Sequence, residues 1–169
     1  MQLLIVRHST AEDRAEFAKM GTSDDLRPLT VEGKDIMARS AAGLLEVVPK
    51  ISEIATSPLV RARETGEILA RAYQVKVGAT TDVLSPDAPF EKFIEWIAER
   101  AKHDVVAIVG HEPHLSGLTT WLMCGTKESR IELKKGGACL LTFRGVPKAG
   151  SATLEWLMHP KHFRALAER

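Results

Sequence analysis

Three short segments carry the residues best suited to chemistry. Arg7-His8 closes the apolar run Gln2-Leu3-Leu4-Ile5-Val6, Arg61 comes just after Thr56-Ser57-Pro58, and Gly110-His111 ends the run Asp104-Val105-Val106-Ala107-Ile108-Val109. Arginine offers a planar fork of N–H donors that matches phosphate oxygens. One neutral imidazole can attack phosphorus. A second histidine can give a hydrogen bond or positive charge to the equatorial oxygens, which hold charge in the transition state. The chemistry these residue types suit is phosphoryl transfer, with no metal required where cations already supply the charge. Each segment also has a plain structural reading: a surface Arg-His pair, a solvated helix face of Arg61, Arg63 and Glu64, and a capping histidine at 111. What favours a site is their coincidence at three strand ends.

The elements that must position them follow from pattern. Residues 2–6 and 104–109 are continuous apolar runs with β-branched members, as in strands buried on both faces. Residues 10–29 are polar and irregular, a long loop with room for one helical turn. Thr30 is a good N-cap for a helix to about Val48, and Pro49 ends it. Residues 52–56 read as a short strand. Ser57-Pro58 then predicts an N-cap with proline at the first helical position, and a helix to about Tyr73. Arg61 would end that helix's first turn, leaning back toward an anion at the helix N-terminus.

Val75 to Val77 suggests a short strand, 79–89 a loop, and Phe90 to about Ala101 a helix. Another helix starts near Pro113 and runs to about Met123. Residues 137–143 and 151–158 alternate as an antiparallel strand pair, and a short helix follows Pro160. Strands alternating with helices imply an α/β fold with helices on both faces of a mostly parallel sheet. Ligands in such sheets bind beyond the carboxyl ends of the strands, where all three segments lie.

The 169 residues suit a single domain, 1–169, with no repeat or linker. With 23 basic and 22 acidic side chains, net charge +1, there is no bulk attraction to nucleic acid or an anionic membrane. Anion specificity has to be local. Cys124 and Cys139 form no disulfide framework or zinc spacing and read as ordinary thiols in or near the core. With no signal-like segment and no apolar run near the ~20 residues of a membrane span, a cytoplasmic setting is expected. His111 and His114, with Glu112 between them, hint at a metal site, but Pro113 interrupts the segment and no third ligand is evident. His159 and His162 read as a solvated tail, and Trp96, Trp121 and Trp156 as core or interface residues.

The segments Leu4-Ile5-Val6-Arg7-His8, Thr56-Ser57-Pro58-Leu59-Val60-Arg61-Ala62-Arg63-Glu64-Thr65 and Val109-Gly110-His111-Glu112-Pro113, in that order, resemble the signature segments of the histidine phosphatase (phosphoglycerate mutase-like) superfamily. Leu26-Arg27-Pro28-Leu29-Thr30-Val31-Glu32-Gly33 extends the resemblance over most of residues 1–120. It implies a three-layer αβα sandwich, no cofactor, a covalent phosphohistidine on His8, and a phosphate pocket of Arg7, Arg61 and His111. Ser9 departs from the usual glycine after the nucleophile. Its hydroxyl is a candidate phosphate contact. Arg27 either extends the positive patch or pairs with Asp24 or Asp25.

Within the superfamily the chain resembles the short SixA-type phosphohistidine phosphatases, by its length and by Arg27-Pro28-Leu29-Thr30. In Leu84-Ser85-Pro86-Asp87, Pro86 stands where the superfamily's usual acid is expected. A placed acid is worth about 10²–10⁴ in rate for an alkoxide leaving group, whereas a phosphorylated imidazole leaves with little help. The expected function is therefore a metal-independent phosphatase acting on phosphohistidine of a partner protein. Asp87, Glu12 or Asp13 would be the substitute acid if the substrate were instead a small phosphate ester. A non-catalytic phosphate-binding module would be marked by loss of His8 or an arginine, and neither is lost.

Overall fold

The computed structural model describes residues 1–168. A six-stranded sheet is built from β1 (Gln2–Arg7), β2 (Glu53–Thr56), β3 (Val77–Thr80), β4 (Val105–Gly110), β5 (Ala138–Phe143) and β6 (Ala152–Met158), in the order β3-β2-β4-β1-β5-β6. The first four are parallel, and β5 and β6 add an antiparallel pair beside β1.

Side chains alternate across each strand, so the apolar runs feed two separate cores. Leu4, Val6, Ile54, Ala107 and Val109 face helices α2 (Val31–Val47), α3 (Val60–Tyr73) and α6 (Pro160–Ala167). Leu3, Ile5, Ala55, Val106 and Ile108 face α4 (Phe90–Ala98) and α5 (His114–Cys124). The expected three-layer αβα arrangement is what forms. The 10–29 segment contains a short helix, α1 (Arg14–Ala18), and a 3-10 turn at Asp24–Leu26.

Thr30 caps α2 as expected, its hydroxyl accepting from Gly33 N–H at 2.8 Å. Several boundaries differ from the sequence reading. Helix α3 begins at Val60 behind Leu59, not at Pro58. The strand expected at 75–77 starts at Val77: Gln74 turns left-handed (φ 54°) and the Val75 N–H returns to Ala70 O, which terminates α3. Helix α4 stops at Ala98. The C-terminal segment is not simply solvated, for Phe163 is buried against α2 and His159 caps α6 by accepting from Lys161 N–H. Gly43 permits that docking, since a Cβ there would strike the Phe163 carbonyl. Of the two thiols only Cys139 is buried, and burial pushes it up to about 12; Cys124 is exposed.

Candidate active site at the carboxyl ends of three parallel strands

Sheet register brings the three segments level. Arg7 pairs with Gly110 and Thr56 with Val109, so His8, His111 and Ser57 leave the sheet together. The His8 N–H donates to Gly110 O (3.0 Å) and the Ser57 N–H to Val109 O (2.9 Å). The two imidazoles stand with centroids 5.0 Å apart. Arg7, His8, Arg27, Arg61, His111 and Glu112 line one cavity of about 580 Å³, joined by Arg14 and Lys135. A groove of similar size between α2 and α3 holds no histidine, so chemistry rather than volume marks the site.

His8 is 7 % exposed, and its Nδ1 lies 2.7 Å from the Ser9 carbonyl. A carbonyl can only accept, so Nδ1 carries the hydrogen and Nε2 keeps a lone pair. Burial, then the charges of Arg61, Arg7 and Arg27, hold His8 down at about 3 against that hydrogen bond. His8 is therefore neutral and nucleophilic near pH 7.

His111 is also held at about 3, by burial first and then by His8 and Arg61. In the free protein it offers a hydrogen bond, not the positive charge that was the other sequence-based option. Ser57 Oγ lies 2.8 Å from His111 Nε2 and 3.4 Å from the Leu59 N–H. The hydroxyl accepts from Leu59 and pairs with Nε2, which fixes the orientation of the ring. Nδ1 is buried without a protein partner, as are Arg7 Nε and Arg61 Nε. Each unsatisfied buried group costs about 1–3 kcal/mol. The three residues that carry these atoms all line the one cavity, where an anion would meet them.

Arginine geometry is set by one carboxylate. Arg61 donates from Nη1 to Asp24 O (2.8 Å), with Nη2 3.2 Å from Asp24 Oδ2. Arg27 donates from Nε to Asp24 Oδ1 (2.8 Å) and from Nη1 to Glu12 O (2.8 Å). Both sequence-based options for Arg27 thus hold at once: it pairs with Asp24 and it lines the cavity. The Arg27 hydrogen bond, more than any other contact, holds Asp24 at about 2. Arg7 is fixed by donating to Leu133 O at 2.6 Å.

The Ser9 hydroxyl does not reach the cavity. It is fully buried and donates to Gly33 O at 2.7 Å, while the Ser9 N–H donates to Thr65 Oγ1. Its place is in fixing the loop after His8, and the expected phosphate contact is corrected accordingly. Asp87 is likewise elsewhere, in a neighbouring cavity with His114 and Phe90; Pro86 lines both cavities. His114 Nε2 donates to Ala88 O at 3.0 Å and its ring packs on Phe90. Among the described residues no three His, Cys, Asp or Glu side chains gather as around a metal ion.

Sequence reasoning missed three contributors. Ser57 was read only as a cap, although it stands at the same strand level as the histidines. Glu112 was weighed only as part of a metal site, although it adjoins His111. Asp24 was seen as a partner for Arg27 alone.

A model of branch 1 of the histidine phosphatase superfamily matches residues 3–83, which hold Arg7, His8 and Arg61. The chain belongs to that superfamily. A protein of Picosynechococcus, described as uncharacterized, is 34% identical over 139 residues, covering 81% of this chain and 82% of that one. Among solved structures, the protein histidine phosphatase SixA complexed with tungstate is 25% identical with a TM-score of 0.78, covering 96% of this chain and 99% of that chain. The alpha-ribazole phosphatase of Shigella flexneri shares the fold at 20% identity and a TM-score of 0.73, covering 95% of this chain and 97% of that one. The fold likeness to both extends past residue 83, over the segment carrying His111.

Proposed function

We propose that this superfamily member is a metal-independent phosphatase that takes phosphate from phosphohistidine on a partner protein and carries it as phospho-His8. The observation that carries the reading is the pairing of His8 Nδ1 with Ser9 O, which presents a neutral Nε2 to a cavity walled by arginines. The guanidinium groups of Arg7 and Arg61 and the imidazole of His111 bind the equatorial oxygens, whose charge rises in the transition state. Nε2 attacks phosphorus in line as the P–N bond to the substrate imidazole breaks. Water then attacks phospho-His8, phosphate departs, and His8 returns to its neutral form.

Two features favour the nitrogen leaving group. Pro86 lines the cavity in the stretch where an ester-cleaving relative would place its acid, and the protein histidine phosphatase SixA is similar over nearly the whole chain. A specific observation favours the second reading, a phosphomonoesterase: Glu112 lines the same cavity and can hold a proton. Initial rates on a phosphohistidine peptide and on simple phosphate esters, each with and without chelator, separate the two. The expected result is faster turnover of the peptide and no effect of chelator. Esters turning over far faster would overturn the substrate assignment.

A further inference from the structure

Four carboxylates are candidates for proton transfer, and geometry separates them. Asp87 belongs to the neighbouring cavity. Asp13 Oδ1 accepts from Ala15 and Glu16 N–H as the cap of α1. Glu12 is exposed on the rim. Glu112 lines the cavity with His8 and directly follows His111, and its Oε1 is buried without a hydrogen-bond partner. A buried carboxyl oxygen lacking a donor favours the protonated, neutral group.

We infer that Glu112 is the proton donor and acceptor of the reaction, a catalytic residue acting on the leaving group in the first step and on water in the second. Burial raises it above the ordinary glutamate range, with Glu132 adding to the rise and Ser116, Arg7 and the Leu133 backbone opposing it. In the first step, the bond from His8 Nε2 to phosphorus forms and the bond from phosphorus to the leaving atom breaks. That atom keeps the electron pair and receives the Glu112 proton, so a neutral imidazole or alcohol departs and Glu112 becomes a carboxylate. In the second step, water oxygen bonds to phosphorus while Glu112 takes one of its protons. The bond from phosphorus to Nε2 breaks and its pair returns to His8. Both groups end as they began. The inference rests on the phospho-His8 reading and deepens it: the site can discharge oxygen as well as nitrogen leaving groups, despite Pro86.

The test is kcat/KM for phosphate esters of increasingly basic phenols and alcohols, for wild type and Glu112→Gln, with rapid-quench detection of phosphoenzyme. The expected loss in E112Q is slight for the most acidic phenol and grows to about 10²-fold or more for an alkyl ester, the usual worth of a placed acid. A loss of equal size across the series, or no loss, overturns the inference. Wild type supplies a second measurement if E112Q does not fold: with a donor in place its kcat/KM changes little with leaving-group basicity, and a steep dependence overturns the inference. Failure of the phospho-His8 reading looks different, since wild type would then yield no phosphoenzyme from any substrate.

Discussion

Asp24 accepts from Arg27 through Oδ1 and from Arg61 through its backbone carbonyl, with Oδ2 in an ion pair to Arg61 and Arg14 3.4 Å away. Arg61 is 5 % exposed and its charge is opposed by burial and by Arg27, so the carboxylate both orients and stabilises it. Two roles are distinguishable by sign. As an orienting group, Asp24 lowers the cost of holding two guanidinium groups toward the substrate; as a mere competitor, it would oppose phosphate. Orientation is expected, and Asp24→Ala should raise KM by more than about tenfold, given the ~1.5–3 kcal/mol typical of hydrogen bonds to charged groups. Steady-state kinetics check this, and a fall in KM would show competition instead. Arg7, His8, Arg61 and His111 were legible in the sequence because side-chain type and strand-end position coincide. Asp24 was only half legible, because its service to Arg61 spans 37 residues and depends on how the loop folds back.

Loop and helix meet closely where the nucleophile leaves β1. The Thr30 N–H donates to Thr10 O, the Ser9 hydroxyl donates to Gly33 O, and a Cβ on Gly33 would run into the Thr10 carbonyl. The start of helix α2 thus clamps the two residues after His8, and only a residue without a side chain admits that approach. Gly33→Ala should cost about 1–3 kcal/mol of stability, as overpacking does, and should lower kcat by shifting the Ser9 carbonyl that fixes His8. Denaturant unfolding and turnover measure the two effects, and wild-type values for both would contradict the clamp. Elements buried on both faces were read well, since β1 and β4 are uninterrupted apolar runs. The start of α3 was not: the helix begins at Val60, and the Ser57 hydroxyl meets both the Leu59 N–H and His111, a contact between segments 54 residues apart. Strand β3, Val77–Thr80, was misplaced because Gly78 and a half-exposed edge position leave little apolar pattern to read.

Across the whole molecule, two cores flank one mixed sheet while the carboxyl ends of its parallel strands gather an anion site. Of the cavity's charged walls, five residues are basic (Arg7, Arg14, Arg27, Arg61, Lys135) and three acidic (Glu12, Asp13, Glu112), against a chain whose net charge is +1. The positive potential is local, as the balanced composition required. The layered architecture was legible from the alternation of strands and helices, while the level meeting of three strand ends depends on register, which pattern does not give. The central claim is that this edge makes His8 a covalent carrier of phosphate. It is tested most directly by mixing the protein with a radiolabelled phosphohistidine peptide, quenching in alkali within the first turnover, and locating the label. The expected result is up to one phosphate per chain, acid-labile and on His8, with both label and turnover absent in His8→Ala. Undiminished turnover by His8→Ala, or rapid turnover by wild type with no labelled His8, would contradict it.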